Sequence, residues 1–461
     1  MSVLELDPGP QALQSPRVPG LRVLGMLGVV GLATGLGLGG CRGEDVYFDC
    51  AEREAEFREV ADVEGQLLDP VPKGEPWPVA IKFSEEGLNR LLSGVVGKEV
   101  PFTGELPFFW FTGPGTLHFT QTSDPVLDLE SLEGCSTCIL YSFDFNVVLI
   151  GANGTPQGAG IGSVDLRIPL ELHEEPATDE VVLIADYGRL RVQNLWLSAF
   201  GLESEEHPAL VGAVAELLEE DVNMNFGEVE LLRLGSWEIG ESGVKLLARK
   251  LIIFPEQDVL ALAMQSNLAL PAGGGLELDG DMPMGIPMTV SFDTALFQAM
   301  IERLLASGDI ARVYDEDGKP DPEGNFGVTF DSLIGSDTQN RLLTQFKVWR
   351  FADGYCGYAV AAMDLDVSID ETDAVALAAG EVSVLSGQGS GAVAADDDEL
   401  VEQNQGVVEN FKTSVAANLA TSINYDALDM EGSSVIFDTK AVDVEPDVLE
   451  TWIDFFIVAD P

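Results

Sequence analysis

Two stretches of this chain carry the same apolar spacing, and this repetition limits the folds open to it. Val79, Ile81 and Phe83 alternate with Ala80 and Lys82; after Ser84, a residue suited to cap a helix, Leu88, Leu91, Leu92, Val95 and Val96 follow at helical intervals. Met288, Val290 and Phe292 alternate in the same way 209 residues later (288 minus 79), Asp293 takes the capping position, and Phe297, Met300, Ile301, Leu304 and Leu305 fall on the same helical positions. A second match lies further on in each half. Leu210, Val214, Leu217, Leu218 and Val222 form one helical stripe, Val408, Phe411, Val415 and Leu419 the other, and both lead into strand-like segments at Lys250 to Leu260 and Lys440 to Leu449. A strand, a helix, strands, a helix and strands, told twice, predict two related units.

Between the helices the period changes to two. Tyr141, Phe143, Phe145 and Val147 oppose Ser142, Asp144 and Asn146, while Val164, Leu166, Ile168 and Leu170 oppose Asp165, Arg167 and Glu171. Met363, Leu365, Val367 and Ile369 oppose Asp364, Asp366, Ser368 and Asp370 in the second half. Such segments are antiparallel strands with one buried and one wet face. Residues 271–287 hold five glycines and three prolines and read as a linker. The expected fold class is α+β: two tandem units at 78–270 and 288–461, each a curved antiparallel sheet wrapped around long amphipathic helices.

This element order, with the openings Phe83 to Leu92 and Val290 to Met300, resembles the tubular lipid-binding superfamily, whose best-known branch is the bactericidal/permeability-increasing protein family. The resemblance covers roughly residues 78–461. It implies an apolar tunnel for acyl chains between helix and sheet in each unit. The candidate lining residues are Leu91, Val95, Phe143, Phe145, Leu166 and Ile168 in the first unit and Met300, Leu304, Leu365 and Val367 in the second. Cationic members of that family capture lipopolysaccharide through basic tips, a role not carried over to a chain of net charge −54.

The first forty residues read as an address. Val23 to Gly40 is an uncharged run following Arg17 and Arg22, and it ends in Leu38, Gly39, Gly40 and Cys41. That ending resembles a bacterial lipobox, so residues 1–40 are expected to be a signal peptide and Cys41 the site of lipid attachment. Glu5 and Asp7 sit poorly in a positive n-region, which suggests a start further downstream. Arg42 after Cys41 points to the outer membrane of the bacterial cell envelope, and 41–77 would be an acidic stalk. Residues 1–40 hold two charges of each sign, so the remaining 421 (461 minus 40) keep the whole excess of 78 acidic over 24 basic side chains. So anionic a surface excludes nucleic acid as a partner.

Four further cysteines, Cys50, Cys135, Cys138 and Cys356, are disulfide candidates in an exported protein, and three pairings are open to them. Cys135 with Cys138 and Cys50 with Cys356 is one. Asp315, Asp317 and Asp321 gather hard oxygen ligands on a Gly/Pro loop that could take Ca²⁺, although the spacing departs from the EF-hand. The aromatic run Phe108 to Phe111 would fill a core strand or sit at a tunnel mouth. No G-x-S-x-G, P-loop or H-E-x-x-H motif occurs, and the three histidines are scattered. No enzyme is expected, short of an unrecognised hydrolase. The sequence thus points to a surface or periplasm-facing lipoprotein carrying a lipid or other long apolar molecule. The alternative is a structural or adhesive acidic surface protein with packed domains that binds divalent cations.

Overall fold

The computed structural model describes Cys50 and residues 67–68, 71–91, 99–108, 111–130, 134–151, 153–175, 180–199, 202–203, 208–225, 227–234, 237–239, 243–336, 340–352, 355–370, 375–389, 405–420, 428–429 and 433–459. The chain separates into two units, Met1–Asp45 and Val46–Pro461, and every described residue belongs to the second. Cys41 and Val95 lie outside the described residues.

Strand β1 (Val79–Ser84) runs into helix α1 (Glu85–Leu91), where Ser84 Oγ accepts from Gly87 N at 3.1 Å. Then follow β2 (Glu99–Phe108), β3 (Phe111–Gln121), β4 (Val126–Asp128), β5 (Cys138–Gly151), β6 (Pro156–Glu175), β7 (Glu180–Asp186), β8 (Arg191–Ala199) and β9 (Leu202–Glu203). Helix α2 (Pro208–Asn225) leads to β10 (Glu228–Leu234), β11 (Trp237–Ile239), β12 (Val244–Phe254) and β13 (Val259–Ser266). In the second half β14 (Met288–Asp293) enters α3 (Thr294–Ser307), and β15 (Val313–Tyr314), β16 (Phe326–Ser336), β17 (Arg341–Ala352), β18 (Tyr355–Ile369) and β19 (Val375–Gly389) follow. Helix α4 (Gln405–Ala420) and strands β20 (Leu428–Asp429), β21 (Ser433–Val444) and β22 (Val448–Ala459) close the order. Helix α3 is capped at both ends as its sequence demands. The Asp293 carboxylate accepts from Ala295 N at 2.6 Å, and Gly308 takes a left-handed φ of 84° that suits glycine.

A seven-stranded sheet, in the order β11-β12-β13-β1-β14-β22-β21, joins the two halves. Strands β1 and β14 pair antiparallel with Ile81 opposite Val290, the two residues that hold matching places in the two sequence stretches. One face of this sheet presents Ile81, Phe83, Leu262, Val290, Phe292 and Ile453 to the core, all at 4% exposure or less. The other presents Ala80, Lys82, Thr289, Ser291, Glu450 and Trp452, which share cross-strand register on that side. Two further sheets curl away. One holds ten strands along the path β2-β3-β5-β6-β7-β10-β20, with β4, β8 and β9 beside it; the other runs β15-β16-β17-β18-β19.

Strand dominates this architecture, and the expected α+β arrangement of sheets wrapped around long amphipathic helices is corrected by it. The described helices hold 7, 18, 14 and 16 residues, whereas β6 alone has 20 and β18 and β19 have 15 each. At about 3.3 Å per residue in a strand against 1.5 Å in a helix, the ribbons are far longer than the helices. The molecule is therefore a mostly-β set of curled sheets, with short helices laid against them. Helix-period stripes are conspicuous in sequence, while β2, β3, β17 and β19 carry glycine, threonine or bulges that blur their alternation.

The disulfides are Cys50–Cys356 and Cys135–Cys138, with Cα separations of 5.5 and 5.6 Å. Cys356 is fully buried beside Phe351, with Trp349 and Val313 against them.

Several carboxylates are held in unfavourable surroundings. Burial raises the pKa of Asp293, Glu450 and Glu85, in each case over opposing hydrogen bonds. A carboxyl whose folded pKa is raised binds its proton more tightly when folded. Stability from these groups therefore falls as pH rises from their unfolded values through their folded ones. Self-repulsion at −54 acts in the same direction. Glu174 opposes this, since Lys73 and Arg249 lower its pKa. The melting temperature at low ionic strength is expected to be higher at about pH 5 than at about pH 8, with added salt narrowing the gap; a calorimetric pH series at two salt concentrations checks both signs.

Candidate functional site

The inner face of the ten-stranded sheet is built by strict alternation along β5. Tyr141, Phe143, Phe145, Val147 and Leu149 all point to one side, opposite exposed Asp144 and Asn146. Their rings form a ladder: Tyr141 meets Phe143 edge-on at 5.7 Å between centroids, Phe143 meets Phe145 at 6.3 Å, and Phe145 meets Phe119 of β3 at 5.0 Å. Gly162, opposite Phe145 on β6, makes room for it, since a Cβ there would stand 2.5 Å from the Phe145 ring. Phe145, Val147 and Leu149 are at most 1% exposed, but Tyr141 and Phe143 are only half-buried. The ladder is closed at one end and accessible at the other.

Neighbouring strands extend this surface. Val164 and Leu166 of β6 stand opposite Phe143 and Tyr141, and Leu195 and Val192 of β8, both half-buried, stand opposite Val164 and Leu166. Helix α2 packs against both β2 and β8. Strand β2 begins the arc β2-β3-β5-β6-β8 and β8, which also pairs β9, stands at its far side, so the helix spans from one side of this arc to the other. Glu219 fixes it there by accepting from Val192 N at 2.8 Å, and α2 turns Val214 and Leu218 inward with Leu217 half-buried. Burial raises the pKa of the Tyr141 and Tyr187 hydroxyls, and for Tyr141 the nearby Tyr187 adds to this. Both phenols stay neutral across the physiological range, so the surface presents rings and aliphatic groups without charge.

The structure brings Phe143, Phe145 and Leu166 onto this one face. Ile168, at 1% exposure, continues the inward set of β6. Leu91 ends α1, its side chain outside the described residues, as are Val95 and the Phe108 to Phe111 side chains. The second-half candidates are buried. Met300 and Leu304 on α3 and Leu365 and Val367 on β18 are all at 8% exposure or less, in a core where the Phe346 and Phe411 rings stand 4.9 Å apart. Tyr187, Val192 and Leu195 were not legible as site residues. Tyr187 lies in a single turn before β8, where no periodicity marks it, and a register shift against β6 at Asp165 and Leu166 breaks the alternation of β8 that would have marked Val192 and Leu195.

Asp315, Asp317 and Asp321 do not converge. Asp315 Oδ1 accepts from Asp317 N at 2.9 Å and Lys319 N at 2.8 Å, Asp321 Oδ1 accepts from Glu323 N at 3.0 Å, and Asp317 pairs with Lys319 at 3.3 Å. These are turn-forming bonds. Among the described residues no group of three His, Cys, Asp or Glu side chains could hold a metal, and no helix is long and apolar enough to cross a membrane.

No protein-family model matches this chain, and no curated protein sequence matches it significantly. Among solved structures it is similar to a lipopolysaccharide binding protein, at 11% identity and a TM-score of 0.39, over 84% of this chain and 100% of that one. It is also similar to P47 of Clostridium botulinum E1, at 11% identity and a TM-score of 0.46, over 82% of this chain and 98% of that one. Similarity at this level informs neither activity nor ligand.

Proposed function

We propose that this chain binds an acyl chain or similarly long apolar molecule on the inner face of its first curled sheet, under helix α2. The supporting observation is that Tyr141 and Phe143 are only partly buried members of an inward-facing ladder whose other rings are buried. Apolar surface left open inside a curled sheet is stabilised by whatever apolar body covers it, at roughly 25 cal/mol per Å² removed from water. The uncharged, aromatic character of the surface selects for hydrocarbon over polar ligands.

The protein is further proposed to act at the bacterial cell envelope, held to a membrane through acylated Cys41, with its acidic surface turned to the aqueous phase. Cys41→Ser should then shift the protein from the membrane fraction to the soluble one.

The ligand assignment is tested with cis-parinaric acid, whose fluorescence rises in apolar surroundings. Wild-type protein should bind it saturably, and Phe143→Asp, which sets a charge on the open part of the ladder, should weaken binding about tenfold or more. Because Phe143 is half-buried, the variant should keep the wild-type circular dichroism. Equal binding by the two proteins, or none by the wild type, overturns the assignment.

A further inference from the structure

The Cys135–Cys138 bond lies on the wet face of the first curled sheet, on the opposite side of β5 from the aromatic ladder. Cys138 opens β5 and stands opposite Pro169 of β6, and Leu170 N donates to Thr137 O at 2.9 Å, so sheet pairing already holds this corner. A bond across a sequence separation of 3 adds no long-range tie to it. The other bond, Cys50–Cys356, closes a separation of 306 and packs beside Phe351, with Cys356 fully buried. Opening the short bond therefore disturbs the fold far less than opening the long one.

The two sulfurs of the short bond have different surroundings. Cys135 is half-buried between exposed Gly134 and exposed Ser136, whereas Cys138 is 2% exposed. Arg167 Nε of β6 donates to Cys138 Sγ at 3.4 Å, and Arg167 forms no ion pair among the described residues. The other charged groups that register places on this face are engaged elsewhere. Asp165 accepts from Asn194 Nδ2 at 2.8 Å, Arg191 pairs with Glu219 at 3.7 Å, and Asp128 Oδ1 accepts from Glu130 N at 2.9 Å. A guanidinium stays charged, so its N–H favours the anionic form of the sulfur it touches. Exchange runs through the accessible sulfur, and the thiol of lower pKa leaves faster. Both conditions select Cys135 as the sulfur attacked and Cys138 as the leaving group.

We infer that the Cys135–Cys138 pair is a thiol–disulfide exchange site that oxidises dithiols. A substrate thiolate, its proton given to solvent, attacks Cys135 Sγ. A new sulfur–sulfur bond forms there, the Cys135–Cys138 bond breaks, and its electron pair leaves on Cys138 Sγ beside Arg167. The substrate's second thiolate then attacks its own sulfur in the mixed disulfide and releases Cys135 as a thiolate. The substrate ends as a disulfide, two electrons poorer, and solvent returns its protons to the reduced cysteines. Holding the Cys138 thiolate favours the reduced pair, which makes the oxidised pair an electron acceptor.

The test treats the oxidised protein with dithiothreitol, quenches with acid at intervals, alkylates, and reads each bond by peptide mass spectrometry. Cys135–Cys138 should open at least about tenfold faster than Cys50–Cys356, with the circular dichroism unchanged. With glutathione, a monothiol, the mixed disulfide should form on Cys135. Arg167→Gln should slow the opening about tenfold and raise the pH at which the reduced protein gains thiolate ultraviolet absorbance. Arg167→Lys, which keeps the charge, should restore part of both. The wild-type measurements stand even if an Arg167 variant does not fold. Equal resistance of the two bonds, glutathione on Cys138, opening only with loss of the folded dichroism, or an Arg167→Gln protein with the wild-type rate and pH profile overturns the inference.

Discussion

Replacing Cys50 and Cys356 together by alanine is expected to destabilise the protein by about 5 kcal/mol, because their bond closes a sequence separation of 306 residues. Cross-linking removes conformations from the unfolded chain, and the effect grows with the logarithm of the closed loop. The Cys135–Cys138 bond spans a separation of 3, and removing it should cost roughly 2 kcal/mol. Over about 400 residues, 5 kcal/mol corresponds to a fall in melting temperature of about 6 °C. Differential scanning calorimetry of the two double variants gives the comparison. Equal losses would mean that the long loop is not what the Cys50–Cys356 bond contributes.

Phe411→Ala is expected to cost about 3–5 kcal/mol. Phe411 is fully buried on α4, its ring meets Phe346 of β17 at 4.9 Å, and Val407, Val408, Val415 and Leu419 of the same helix are buried in the same core. Truncation leaves a void that the curled sheet of the second half, already packed at Leu342, Val348 and Met363, cannot collapse to fill. Phe143→Ala in the first half should cost under about 1.5 kcal/mol, because the ring is already half in contact with the open surface. The ratio between the two, read from urea midpoints at equal m-values, measures how differently the two halves fill their interiors. Similar losses would mean that the ladder is packed as tightly as the second-half core.

Much of the site's scaffold is legible in the sequence. Period-two runs at Tyr141 to Val147 and Val164 to Leu170 correspond to β5 and β6, and the residues marked as inward are the ones the structure turns inward. The Asp293 cap and the stripe from Phe297 to Leu305 yield α3. What sequence could not give is pairing. That β1 lies against β14, and that α2 packs on both β2 and β8, depends on contacts between residues far apart in the chain. The excess weight given to helices has the same origin. A helical stripe is a local signal, whereas a long strand with a bulge, such as β19 with its shifts opposite Val360 and Met363, shows its regularity only against its partner. Segment 271–287 looked like a plain linker because its glycines and prolines are visible in sequence, and the Lys82 contacts that pin it are not.

The most direct test is native mass spectrometry of the protein purified without detergent, before and after extraction with organic solvent. A bound mass of lipid size, stoichiometric in the wild type, removed by solvent and missing from Phe143→Asp, is the expected result. A wild-type protein that carries no such mass, and takes up none when offered fatty acid or phospholipid, would contradict the account.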